Sequence, residues 1–167
     1  MDLRLTSGTD VVIRPIRPDD KARLVAGLAR LSPRSARMRF LAPKTRLTTA
    51  ELRYLTEIDF IDHYALVAVR ADDPQCLAGV GRWVRDHDRR DAAEIAIVVA
   101  DELQGQGLGL ALGEALGDAA RARGIARFTG ITLAENTAAQ RLFARMSSSV
   151  LLRLDGSTYE LEADLAA

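Results

Sequence analysis

Apolar positions recur with a two-residue period in some stretches of this chain and with a helical period in others, and the alternation maps most of its elements. Thr9 to Arg14 reads as a first strand, and Pro18-Asp19-Asp20 opens a helix whose Leu24, Val25, Leu28 and Leu31 fall on one face. Ser32-Pro33 stops that helix. A basic segment follows, with Arg34, Arg37, Arg39, Lys44 and Arg46, and then a short helix from Thr48 to Leu55 with Thr48 or Thr49 at its cap. Tyr64 to Arg70, Cys76 to Arg85 and Ala93 to Ala100 read as three strands joined by the turns Ala71-Asp72-Asp73-Pro74 and Asp86 to Asp91, which predicts an antiparallel meander.

Beyond this meander, Leu108, Leu112, Ala115, Leu116 and Ala119 recur at helical spacing up to Gly124. Arg127 to Leu133 is the next strand, and a right-handed crossover makes it parallel to Ala93 to Ala100. Asn136 caps a last helix with Ala139, Leu142, Phe143 and Met146 on one face, and Val150 to Leu154 and Thr158 to Ala163 flank the hairpin turn Asp155-Gly156. The pattern predicts an α/β fold with a mixed, mostly antiparallel sheet of seven strands and four helices.

Between the third meander strand and the long helix lies Gln104-Gly105-Gln106-Gly107-Leu108-Gly109. Alternate glycines let the backbone approach a bulky anion, and the first helical turn offers it unpaired N–H groups and the positive end of the helix dipole. The run lacks the Gly-Lys-Ser/Thr of a nucleoside triphosphate loop. Its spacing is not that of a dinucleotide fingerprint, and Arg127 to Leu133 contains no acid to hold a ribose. A glycine-rich tight turn is the alternative reading.

Composition narrows the setting. At 167 residues and 48% hydrophobic, residues 1–167 read as a single domain able to bury a core. Basic and acidic residues balance at 23 each, which argues against a nucleic-acid partner or a membrane-surface footprint. Cys76 is the only cysteine, no apolar run approaches a bilayer span, and the N-terminus is not signal-like, so a cytoplasmic protein is the default expectation. His63 and His87, in separate turn-like stretches, make a poor ligand set, and no metal is expected. Trp83 reads as a packing residue and Cys76 as a half-buried strand residue, with no basic partner near it in sequence.

The element order, together with Gln104-x-x-Gly107-x-Gly109, resembles the Gcn5-related N-acetyltransferase superfamily, whose signature loop is Gln/Arg-x-x-Gly-x-Gly/Ala. The likeness runs from Val12-Ile13-Arg14-Pro15 through Asn136 and is strongest from Glu94 to Phe143. Arg39-Phe40-Leu41, Leu55-Thr56-Glu57-Ile58-Asp59-Phe60 and Ala65-Leu66-Val67-Ala68 look like the acetyltransferase domain of bacterial Pat-type protein-lysine acetyltransferases.

That resemblance implies the superfamily fold, with a splayed parallel strand pair, and acetyl-CoA as cosubstrate. Ile97, Val98 and Val99 would offer backbone groups to the pantetheine arm. The Gln104, Gly105, Gln106, Gly107, Leu108, Gly109 and Leu110 segment would hold the pyrophosphate through its amides. Asn136 would hydrogen-bond the pantetheine, serve as a plain helix cap, or do both. The acceptor implied is a primary amine, with a protein lysine as the Pat-like reading and a small amine as the alternative. A non-catalytic acetyl-CoA-sensing or partner-binding domain is a third reading, and the chain is expected to be a monomer or a homodimer.

An ammonium with a pKa of about 10.4 must lose a proton before it can attack a thioester. Glu94 is the candidate base, since it interrupts the apolar run Ala92 to Val99 and falls where many superfamily members carry theirs. An acid on the polar side of the strand, paired with an arginine, is the plainer reading. The Val98 N–H is the expected oxyanion donor. Two departures stand out. Phe143 replaces the tyrosine that often protonates the leaving thiolate, while filling its space beside the cofactor, and Ser147-Ser148 stands where Gly-Phe is common. Asp59 and Asp62 are candidates for attracting an acceptor lysine, and the Arg34 to Arg46 cluster for touching the 3′-phosphate of the cofactor or an acidic protein surface.

Overall fold

Residues with branched or small side chains fill the strands, and they hydrogen-bond into one eight-stranded sheet in the order β1-β2-β3-β4-β5-β6-β8-β7. The strands are β1 (Asp2–Arg4), β2 (Asp10–Pro15), β3 (His63–Arg70), β4 (Leu77–Arg85), β5 (Ala92–Val99), β6 (Arg127–Leu133), β7 (Ser147–Asp155) and β8 (Thr158–Leu165). The helices are α1 (Lys21–Arg30), α2 (Pro33–Phe40), α3 (Thr49–Thr56), α4 (Leu108–Arg121) and α5 (Thr137–Met146). The computed structural model describes residues 1–165 and omits the side chain of Ser148, so that half of the Ser147-Ser148 departure lies outside the described residues.

The meander β2-β3-β4-β5 is antiparallel throughout, β5 and β6 are parallel, and β7 and β8 form the hairpin around Gly156. Two elements exceed the sequence expectation. β1 pairs with β2 over three residues, too few for alternation to reveal it. The basic segment after Ser32-Pro33 is also a helix: Ser32 Oγ accepts from Ser35 N at 3.1 Å, and Pro33 occupies the first turn, where its missing N–H costs nothing. The same dipeptide that ends α1 thus starts α2.

Helices pack on both faces of the sheet, while Ile131, Leu151, Leu152 and Leu154 at its β6-β8-β7 end stay exposed. Leu108, Leu112, Leu116 and Ala120 of α4 pack with Leu66, Ala68, Trp83, Ile95 and Phe128 on one face. Ile16, Leu24, Ala65, Val67, Val69 and Val80 form the second core, under α1 and α3. Val25 falls off the α1 apolar face and is 47% exposed, since Leu24 and Leu28 suffice to seat that helix. On α4, Ala115 and Ala119 are only half-buried, and Gly113 and Gly117 are the buried partners of the leucines instead.

The approach of α4 to β4 is close enough to require glycines in the strand. A Cβ on Gly81 would stand 2.7 Å from Leu116 Cδ1 and 3.4 Å from Ile97 Cγ1. Gly81→Val should therefore destabilise the fold by about 1–3 kcal/mol through overpacking, read as a lower urea midpoint with an unchanged slope.

Candidate active site

The parallel β5–β6 ladder contains only three residue pairs, Ala92–Arg127, Ala93–Phe128 and Glu94–Thr129, although β5 continues to Val99 and β6 to Leu133. Past Glu94 the two strands separate around a cleft of about 270 Å³. Ile95, Ala96 and Ile97 line one wall, Gly130, Ile131 and Thr132 the other, with Asn136, Phe143 and Met146 from the α5 side and Met38 to Leu41 from α2.

The unpaired length of β5 leaves backbone groups facing this cleft. Ala100 N donates to Ala78 O at 2.9 Å, and antiparallel alternation then turns the N–H and C=O of Val98 toward β4 and those of Ile97 and Val99 toward the cleft. The expected trio divides: Ile97 keeps both groups available, Val99 O accepts from Gln104 Nε2 at 3.1 Å, and Val98 is engaged with β4 and does not aim its N–H at the cleft. On the opposite wall, Thr132 Oγ1 is buried without a hydrogen-bond partner among the described residues.

At the far end of β5 the glycine run opens α4. Gly105 and Gly107 have φ of +72° and +94°, the left-handed region that glycine enters without strain, and a Cβ at either would meet nothing within 4 Å. Among the described residues none of the amides from Gly105 to Leu110 donates a hydrogen bond. Leu108 is buried and roots the helix start. The glutamines brace this loop: Gln104 Nε2 also reaches Ser35 Oγ at 3.2 Å, and Gln106 Nε2 donates to Glu102 O at 2.8 Å. Asp101 accepts from Ser32 N and Oγ, each at 2.9 Å, and from Ser35 Oγ at 2.5 Å, tying the loop to the start of α2. Desolvation opposes its ionisation, but these bonds hold its carboxyl below the ordinary range.

Glu94 is the last paired residue of the ladder. It is exposed and has neither a hydrogen bond nor an ion pair among the described side chains. On the same sheet face stand Arg82, from the neighbouring strand, and His63, one strand further, with Arg39 descending from the last turn of α2. Arg82 is 5% exposed and donates from Nη1 to Leu55 O at 3.2 Å and to His63 Nε2 at 3.0 Å. A guanidinium only donates, so His63 carries its proton on Nδ1. Burial, then the Arg82 charge, lowers the imidazole to about 4. Burial lowers Arg82 to about 10, with Arg39 adding to the effect. Arg39 is lowered by burial as well, and the Glu94 charge opposes that shift.

Asn136 Oδ1 caps α5 by accepting from Ala139 N at 3.1 Å, while its Nδ2 has no partner among the described residues. Phe143 is buried beneath the cleft, where a Cβ on Gly130 would stand 2.9 Å from its ring tip. Asp59 and Asp62 are already committed. Asp59 Oδ1 accepts from the amides of Ile61, Asp62 and His63, and Asp62 pairs with Arg85 and Arg90. Trp83 is fully buried and stacks on Tyr64. Cys76 precedes β4 and has a basic neighbour after all, since Arg30 Nη1 lies 3.0 Å from its sulfur. His87 is exposed beside Asp88, far in sequence and setting from His63. Among the described residues no helix is long and apolar enough to cross a membrane.

Residues 28–147 match the Acetyltransferase (GNAT) family. The chain belongs to that family. It is 30% identical over 163 residues to the acetyltransferase Pat of Mycolicibacterium smegmatis, covering 98% of this chain and 48% of that protein. It is 32% identical over 139 residues to the acetyltransferase PA5475 of Pseudomonas aeruginosa, covering 83% of this chain and 74% of that one. The crystal structure of the GNAT domain of S. lividans PAT superposes with a TM-score of 0.87 at 30% identity, covering 99% of this chain and 96% of that one. The chain spans about half the length of the mycobacterial Pat.

The splay of β5 from β6 was anticipated as what the resemblance implies, whereas the contact of Arg82 with His63 and the buried Thr132 hydroxyl were not. Arg82 is the one basic residue inside the apolar strand run Leu77 to Val84, and that isolation was the available signal. Since the folded protein holds His63 neutral down to about 4 rather than 6.5, the unfolded chain binds the extra proton between those values. Its contribution is full above pH 6.5 and is lost as pH falls toward 4, by about 3 kcal/mol. A His63→Gln variant, which keeps an acceptor for Arg82, should show a flatter decline of urea midpoint between pH 6.5 and 4 than the parent.

Proposed function

We propose that this chain transfers the acetyl group of acetyl-CoA to a primary amine, a protein lysine side chain, in a ternary complex with Glu94 as general base. The observation that carries the reading is the position of Glu94: an unpartnered carboxylate at the point where β5 and β6 separate, on the same strand that leads to the loop of free amides. Acetyl-CoA would supply the activated acyl group as a thioester. The lysine part of the reading is supported by the likeness to proteins named Pat.

The residues fit that cosubstrate. Six consecutive free amides, Gly105 to Leu110, at the positive end of a 14-residue helix suit a pyrophosphate. The cleft-facing N–H and C=O of Ile97 suit an amide-bearing arm laid along β5 as a short extra strand. Thr132 Oγ1 and Asn136 Nδ2 supply further polar contacts from the other wall. Glu94 takes the ammonium proton directly or through a water, since its carboxylate faces solvent and is not engaged by an arginine.

Phe143 occupies the cleft wall and cannot protonate a thiolate. With a thiol pKa of about 8.5, the departing group is stable enough for solvent to complete the step. Glu94→Gln should lower kcat by about 10²-fold or more and leave KM for acetyl-CoA unchanged, measured as CoA release by thiol titration. Equal rates for the two proteins would remove Glu94 from the mechanism. Gly107→Val should instead raise KM for acetyl-CoA at least about tenfold, because the substituted residue leaves the left-handed region and turns the amides away.

A further inference from the structure

The buried carboxylate of Asp20 is paired. Asp20 is fully buried and accepts from Arg14 at 2.7 Å and from Arg23 at 3.1 Å. The two guanidiniums near Glu94, Arg82 buried and Arg39 half-buried, have no carboxylate of their own. Arg82, 5% exposed, spends only Nη1 on protein acceptors, and Arg39 makes no hydrogen bond or ion pair among the described residues. Both line a cavity of about 70 Å³ under α1 and α3, otherwise walled by apolar residues such as Leu28, Phe40, Leu55 and Val98. Arg39 also lines the cleft that contains Glu94.

With His63 neutral, two positive charges face one carboxylate in this corner. An approaching ammonium gains nothing from the guanidiniums and is repelled by both. The balance changes if the acceptor brings a negative charge of its own, since a carboxylate matches the planar fork of an arginine and restores the pairing that burial demands. Along β4, Arg82 is opposite Ala96, two residues from Glu94, which separates the two positions by about 6–7 Å along the strand.

We infer that Arg39 and Arg82 form a carboxylate-binding subsite, so that the preferred acceptor carries an anionic group a short aliphatic span from the amine that Glu94 deprotonates. The inference rests on the transferase reading for the role of Glu94. Two sources supply that chemistry: an acidic residue flanking a protein lysine, or the carboxylate of a small amino acid.

The test uses matched pairs of acceptors. One arm compares 6-aminohexanoate with 6-aminohexanamide, and the other compares blocked peptides in which Glu or Gln adjoins the lysine. In at least one arm the parent protein should favour the charged member by about tenfold or more in kcat/KM, and Arg82→Gln and Arg39→Gln should each bring that ratio close to one. The arm showing the preference identifies the source. Arg39 lies on the rim, so its variant reads the ratio even if Arg82→Gln does not fold. A ratio near one in both arms for the parent overturns the inference while leaving the transferase reading intact. Should no amine turn over, the transferase reading fails, and binding still decides this one. Adipate should raise the melting temperature of the parent more than that of Arg39→Gln, and an equal shift in both proteins overturns the subsite.

Discussion

The organisation of this protein depends on a parallel ladder that stops after three residue pairs. A central strand normally has both edges satisfied, and leaving one open exposes N–H and C=O groups to water or a ligand. The chain enforces the opening from both sides. On β6, Gly130 lets the Phe143 ring sit against the strand, and on β5 the antiparallel bond to β4 remains intact through Ala100. The strands therefore diverge without unravelling the sheet, and everything of chemical interest gathers along the gap: Glu94 at its apex, Ile97 along its wall, and the glycine amides at its mouth.

Helix α2 turns this gap into a site. Its start is tied through Ser32 and Ser35 to Asp101, which holds the turn before the glycine loop, and Ser35 also meets Gln104. Its end delivers Arg39 and Phe40 to the face that carries Glu94 and Arg82. One eight-residue helix thus couples the loop proposed for the pyrophosphate to the corner proposed for the acceptor, and Leu41 closes it with a φ of +59°. A left-handed leucine is uncommon, and here it ends the helix at the edge of the cleft.

Most of the architecture was legible in the sequence because it follows from local periodicity. The meander, the crossover and the terminal hairpin are each announced by alternation and by turn residues. The short strand β1 and helix α2 were not. Three residues cannot display a period, and α2 has Arg34, Arg37 and Arg39 in place of an apolar stripe, with only Ala36 fully buried. The site divides along the same line. Gln104 to Gly109 and Glu94 stand out as motif and as anomaly, whereas the contact of His63 with Arg82 joins residues 19 apart across a strand pair. The orphaned Thr132 hydroxyl is invisible until β6 is seen to leave β5. Glu94 also shows the limit of composition. The plainer expectation paired it with an arginine, and arginines are indeed near, yet Arg82 bonds to His63 and Leu55 and leaves the carboxylate open to solvent.

Phe143 marks the point where packing and chemistry compete. A hydroxyl at the ring tip would have to occupy the space in which the ring already approaches Gly130 so closely that even a Cβ there would stand 2.9 Å away. The ring therefore packs against β6 at Gly130 while lining the cleft. A phenol in this position would need a hydrogen-bond partner in the cleft, whose polar lining includes Glu94, Thr132 and Asn136. Burying it unpaired costs about 1–3 kcal/mol. The closeness of Gly130 thus sets the space at the ring tip, and phenylalanine fills it without adding a polar group that would have to be paired.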